Sequence, residues 1–284
     1  LDSDYQGVLT GLPRWQGGVP FSFDSLTEAY RREGAGRFAR YKAFVWEDER
    51  LIPVPHPDCP AADELLGYNW QREEVVRNTR QLVSGRYVNN ALLYGESGTG
   101  KSATVKNLLT LPGMEELRII EADKENLGGL PALIRSLEGL RQKFIVFIDD
   151  LTFDRDDPTY AVLKTILEGG LERRPANVAI YATSNRRHLI KETLSDRSGD
   201  DIHESDTRQE LMSLSARFGL TITFLSPDRE RYLHIVGELA KQYGLDTDQR
   251  ELAVRSEAFA IRMGGRSARV AKQFIELCKA GVPY

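Results

Sequence analysis

The stretch Gly95-Glu96-Ser97-Gly98-Thr99-Gly100-Lys101-Ser102 constrains this chain more than any other, because it fits G-x-x-x-x-G-K-[ST] in the setting that pattern requires. Ala91 to Tyr94 before it reads as a short buried strand, and Ala103 to Leu109 after it carries the apolar spacing of a helix. Glycines let successive backbone N–H groups close around a phosphate, and the helix N-terminus adds partial positive charge. Lys101 then stands to reach β- and γ-phosphates, and the Ser102 hydroxyl to ligate magnesium. A glycine turn that merely joins a strand to a helix is the alternative, and the flanking elements weigh against it.

Downstream, strands and helices alternate. Leu117 to Glu121 reads as a strand and Leu127 to Leu140 as a helix with Pro131 near its start. Phe144 to Ile148 is a continuous apolar run, the mark of a central parallel strand buried on both faces, and it ends in Asp149-Asp150. Carboxylates at that edge fall where α/β sheets bind ligands. Asp149 is placed to hold magnesium, directly or through water, and Asp150 to orient or deprotonate an attacking water; a pair of helix-capping acids is the plainer reading. Pro158 to Glu172 is a helix, and Asn177 to Ser184 a strand ending in Asn185, whose amide would touch a γ-phosphate or hold water unless it is an ordinary turn residue. Lys191 to Glu210 is dense in charge and reads as a long surface loop or weak helix, and His203 within it has no His or Cys neighbour, so no metal site is expected there. Leu211 to Phe218 carries Arg217 and leads into a fifth strand, Leu220 to Leu225. The pattern predicts a parallel five-stranded α/β sheet flanked by helices. From Ser226 onward only helices follow, Arg229 to Tyr243, Glu251 to Met263 and Ser267 to Lys279, with Arg266 and Arg269 at the mouth of the last.

Upstream, prolines at 13, 20, 53, 55, 57 and 60 punctuate short elements, a helix over 24–32 and two strands within 41–54. Arg31, Arg32, Arg37, Arg40 and Lys42 interleave with Phe38, Tyr41 and Phe44, the mixture a nucleic-acid surface uses. A solvated helix face followed by a strand fits better with 38 basic against 42 acidic residues and a net charge of -4. A helix from Asn69 to Ser84 follows Gly67-Tyr68, an aromatic placed either to pack on a purine or to join the core. The expected organisation is an attachment over 1–64, an α/β domain over 65–225 and a helical domain over 226–284. Cys59 and Cys278 have no metal-ligand spacing, no apolar run reaches the ~18 residues of a membrane span, and no signal pattern opens the chain; a cytoplasmic protein is expected.

Together these landmarks resemble the AAA+ ATPases from about Leu65 to the C-terminus. In that likeness residues 95–102 are Walker A, Phe144 to Asp150 is Walker B, and Asn185 matches sensor 1. Arg217, within Ser215-Ala216-Arg217-Phe218-Gly219, resembles the arginine finger offered to a neighbouring subunit. Gly67-Tyr68 resembles the adenine-side segment, and Gly265 to Arg269 resembles sensor 2, with Arg269 preferred over Arg266 because Ala271, Phe274 and Ile275 then fall at the usual apolar offsets. The segments IYATSNRRHLIKE and LSARFGL, with the basic N-terminal attachment, are similar to a bacterial branch of predicted ATP-binding proteins, domain of unknown function 815. The resemblance implies magnesium-dependent ATP binding and hydrolysis coupled to remodelling of a protein or nucleic-acid partner. It also implies a homo-oligomeric ring, with a hexamer and ATP-dependent assembly as the expected form, and a helical lid. One departure stands out: most AAA+ Walker B motifs end Asp-Glu, and this one ends Asp149-Asp150. A nucleotide-gated binding or loading switch with little or no turnover is therefore the alternative function.

Overall fold

The computed structural model describes residues 36–152, 158–168, 174–185 and 216–281, with residues 22, 24, 25 and 27 ahead of them. Strands β1 (Ala43–Glu47) and β2 (Arg50–Val54) form a hairpin, followed by helix α1 (Asn69–Val83). Then come β3 (Asn90–Gly95), α2 (Lys101–Asn107), β4 (Leu117–Ala122), α3 (Leu130–Ser136), β5 (Lys143–Ile148), α4 (Pro158–Glu168), β6 (Val178–Ser184) and β7 (Gly219–Phe224). Three helices close the chain: α5 (Arg229–Gln242), α6 (Gln249–Arg262) and α7 (Ala268–Lys279). The stretch expected to be helical before Leu130 is a 3-10 segment, Lys124–Gly129. Arg31, Arg32, residues 169–172, the charged stretch 191–210 with His203, and residues 211–215 lie outside the described residues.

Among the described residues the sheet has seven strands in the order β2-β1-β4-β5-β6-β3-β7, not the expected five. Five parallel strands, β4-β5-β6-β3-β7, form its body. The extra two are the N-terminal hairpin: β1 lies parallel to β4, from Ala43↔Ile119 to Trp46↔Ala122, and β2 lies antiparallel outside it. A free edge on β4 would leave a row of unpaired amides on a largely buried strand, and β1 covers it. The hairpin turns on Asp48 (φ 47°) and Glu49 (φ 58°), the two successive left-handed residues that a tight two-residue hairpin needs.

Alternation along the strands divides the core. Phe144, Val146 and Ile148 face α3 and α4, with Phe44, Trp46 and Ile180; Ile145 and Phe147 face α1 and α2, with Leu93, Val105 and Tyr181. Phe38 meets Phe44 and Phe144 edge-on, each at 5.1 Å, and Tyr41 packs on Phe44 at 6.5 Å. Phe44 is thus buried and Phe38 packs against the core, while Tyr41 stays partly exposed with the Arg40 guanidinium 5.2 Å above its ring. The last three helices pack around Tyr232, Ile235, Phe259, Phe274 and Ile275, each helix opened by a capping side chain from Asp228, Asp248 or Ser267. Among the described residues no helix is long and apolar enough to cross a membrane.

One buried polar cluster ties α1 to the sheet: the Tyr181 hydroxyl accepts from Asn78 Nδ2 at 2.9 Å and bonds Thr79 Oγ1 at 2.9 Å. Burial pushes the phenol up to about 12. Tyr181→Phe is expected to lower the urea midpoint at unchanged m-value, a loss of about 1–2 kcal/mol, because two buried groups lose a partner.

Candidate functional site

The turn between β3 and α2 is held by close packing that only glycine permits. A Cβ on Gly95 (φ 139°) would stand 2.0 Å from the Phe224 carbonyl oxygen at the end of β7. A Cβ on Gly98 (φ 74°) would stand 2.9 Å from Ser267 Oγ and 3.0 Å from Arg269 Cβ, so the mouth of α7 rests directly on the loop. Arg269 N donates to Gly98 O at 3.1 Å. Within the loop, Thr99 Oγ1 donates to Glu96 O at 2.8 Å, and Gly100 (φ 93°) delivers the chain into α2.

Lys101 is 5% exposed, and its ammonium donates to Gly95 O (3.0 Å), Glu96 O (2.7 Å) and Asn185 Oδ1 (2.9 Å). Burial lowers its pKa, opposed by the charges of Asp150 and Asp149. Asn185 completes a relay by donating its Nδ2 to Asp150 Oδ1 at 2.6 Å. Beside it, Ser102 Oγ donates to Asp149 Oδ1 at 2.6 Å, and Thr183 Oγ1 donates to the same oxygen at 2.5 Å. Ser97, Gly98, Gly100, Lys101, Ser102, Asp149, Asp150, Thr183, Asn185 and Arg269 line one cleft of about 460 Å³. Among its oxygen ligands the Ser102 hydroxyl and the Asp149 and Asp150 carboxylates are of the hard kind that suits magnesium, which takes few protein ligands and completes its shell with phosphates and water. Among the described residues no group of three or more His, Cys, Asp or Glu gathers, so an all-protein cage for another metal is absent there.

Other residues singled out in the sequence lie elsewhere. Tyr68 is 3% exposed; its hydroxyl donates to Leu225 O at 2.5 Å, its ring lies 5.3 Å from Phe224, and the Arg231 guanidinium sits 5.5 Å above it. Gly67 faces Ile235, where a Cβ would approach to 3.2 Å. The pair therefore joins sheet to lid behind the loop rather than lining the cleft. Arg266 is turned into the lid by a two-point ion pair with Glu257, at 2.9 and 2.8 Å, while Arg269 faces the cleft. Arg217 pairs with Glu168 of α4 in its own subunit, Nε to Oε1 at 2.5 Å, and does not line the cleft. The sequence reading passed over Thr183, whose only signal was a hydroxyl two positions before Asn185 on a strand flanking the Asp149 strand.

The sequence model of the family described as protein of unknown function (DUF815) matches residues 39–282. The chain belongs to the DUF815 family. Among solved structures, two point mutants of RuvB from Thermotoga maritima are similar to this DUF815 chain at 14% identity and a TM-score of 0.52. The match covers 78% of this chain and 66% and 64% of the two RuvB chains, slightly under two thirds of their length. At that identity the likeness is one of fold, and the fold is that of the AAA+ proteins. No curated protein matches the sequence.

In this DUF815 chain the residue after Asp149 has a backbone that explains its size. Asp150 sits at φ 49°, in the left-handed region that Asn and Asp tolerate far better than longer side chains. Asp150→Asn is expected to unfold in guanidinium at or above the wild-type midpoint. Asp150→Glu is expected to lose about 0.5–1 kcal/mol, through strain that a short Asx side chain avoids.

Proposed function

We propose that the cleft binds ATP with magnesium and hydrolyses it, and that the lid converts nucleotide state into remodelling of a protein or nucleic-acid partner. The observation that carries this reading is the convergence of the loop amides, Lys101, the Ser102–Asp149 pair and the Asn185–Asp150 pair on one cleft beneath Arg269. The amides of residues 97–102 and the Lys101 ammonium bind the β- and γ-phosphates. Ser102 and Asp149 hold magnesium, which when bound neutralises charge on the phosphate oxygens. Asp150 and Asn185 position the attacking water, with Asp150 accepting its proton, and Arg269 reaches the phosphates from the lid, so the α7 seat on Gly98 shifts with the ligand. Residues 1–64 serve as an attachment to an α/β domain (65–225) and a lid (226–284), in a cytoplasmic protein.

Purified protein is expected to release phosphate from ATP, and Lys101→Ala to reduce that rate by roughly 10²–10³-fold. Equal rates in the two proteins would overturn the assignment. A second reading, a nucleotide-gated switch, is favoured by Asp150 being short and already held by Asn185. Tight ATP binding with negligible phosphate release by the wild type selects the switch.

We further propose a head-to-tail ring, hexameric and assembled with ATP, in which Arg217 leaves Glu168 to meet the neighbour's nucleotide. That pair is partly exposed, 24% and 43% for the two side chains, so parting it costs at most about 1 kcal/mol. Mixing Lys101→Ala with Arg217→Ala protein is expected to restore phosphate release above either alone. Absence of rescue, with a monomer by light scattering in ATP, removes the ring.

A further inference from the structure

We infer that Thr183 is a positioning residue whose single hydroxyl sets both carboxylates of the cleft. The inference deepens the reading of the cleft as a magnesium–nucleotide site and rests on it. Strands β5 and β6 run parallel with Ile148 beside Ala182, so Thr183 comes level with Asp149 just past the end of β5. Thr183 is 2% exposed. Oγ1 donates its one proton to Asp149 Oδ1 (2.5 Å) and accepts Asp150 N–H (2.9 Å) on a lone pair. Its carbonyl accepts Leu151 N–H at 2.7 Å. Every polar group of this residue near the turn is thus spent on residues 149–151.

Two consequences follow for the cleft. Asp149 Oδ1 takes Ser102 and Thr183 hydroxyls and lies 3.2 Å from Asp150 N, whereas among the described residues Oδ2 accepts no hydrogen bond. The hydroxyl therefore fixes which oxygen turns inward and which is left for the cation. At the next position, two successive N–H groups anchored to the same threonine hold Asp150 in its left-handed conformation, with Oδ1 directed at Asn185 Nδ2. Valine keeps the shape of threonine and removes only this hydroxyl. Partners that orient a metal ligand are worth 10–100-fold in metal affinity or activity, so the effect should be read in the cation dependence.

The test compares wild type, Thr183→Val and Thr183→Ser by titrating a fluorescent ATP analogue in EDTA, then magnesium into the nucleotide complex, and by measuring phosphate release against magnesium. Thr183→Val is expected to bind the analogue in EDTA within about threefold of wild type and to need ~10–100-fold more magnesium for half-saturation in both titrations. Thr183→Ser, which keeps the hydroxyl, is expected to restore the wild-type value. If Thr183→Val does not fold, as judged by far-UV circular dichroism, Thr183→Ala carries the same comparison with Ser. A hydroxyl-free variant with wild-type magnesium half-saturation overturns the inference while leaving the cleft assignment standing, as does a serine variant no better than valine. Wild type that binds no analogue, with or without magnesium, overturns the cleft assignment and this inference with it.

Discussion

Where β3 ends, no side chain fits. The Phe224 carbonyl both accepts the Glu96 N–H at 3.0 Å and occupies the space in which a Cβ on Gly95 would stand. The loop therefore begins as a continuation of the sheet, hydrogen-bonded to its edge strand, before it curls over the mouth of α2. Three residues on, the same constraint recurs with the lid as neighbour, for Gly98 lies against Ser267 and Arg269. The loop is thus clasped between the last strand of the sheet and the last helix of the lid. A ligand that displaces Gly98 therefore bears on α7, through the packing of Ser267 and Arg269 and through the Arg269 N–H bond.

The segment between β2 and α1 binds the same parts from behind. Asn107 Nδ2, at the end of α2, donates to Pro60 O at 2.7 Å, and Gln242 Nε2 of α5 donates to Asp63 O at 2.8 Å. Glu64 accepts from Ala61 N and pairs with Lys272 of α7 at 3.0 Å. The Lys272 bond, then the Ala61 bond, hold the Glu64 carboxyl below its usual range, so its contribution to docking is present at neutral pH and is lost as pH falls through that lowered value. Each contact is weak alone on an exposed surface. Together with Tyr68, wedged between Phe224 and Arg231, they make the hairpin's tether a third wall of the lid's seat.

What could be foreseen depended on how local the cause was. Lys101, Ser102 and Asp149 were legible because a phosphate loop and an apolar strand ending in acid carry their geometry in consecutive residues. Asn185 was legible because a polar residue at a strand exit has only one edge to occupy. The β1–β4 pairing was not, since the partner of an edge strand is chosen by which face needs covering and not by its own alternation. Arg266 shows the same limit for charge: the acid that claims it, Glu257, is brought close by helix packing that no spacing announces. For Tyr68 both a purine platform and a core position were open, and the sequence could not choose between them because the burial comes from the helices that follow the sheet. Thr183 looked like any β-branched strand residue, and its chemistry lies in a neighbour on the adjacent strand.

Sheet register is what converts these separate signals into one site. Tyr94 pairs with Ser184 and Ile148 with Ala182, so the exits of β3, β5 and β6 are staggered by fixed steps: Gly95 meets Asn185, and Asp149 meets Thr183. The carbonyl of Gly95 and the amide of Asn185 then both reach Lys101, while Thr183 reaches across to Asp149 and Asp150. A slip of one residue between β5 and β6 would turn every side chain of β6 to the opposite face and bring Ala182 or Ser184 to the carboxylates. The fully buried strands forbid that slip, because Val178, Ile180 and Ala182 belong to one apolar cluster and Ala179 and Tyr181 to the other, with the Tyr181 hydroxyl locked to Asn78 and Thr79. The precision of the polar cleft is therefore inherited from apolar packing several residues below it, and the hydroxyl of Thr183 is the point at which the one is handed to the other.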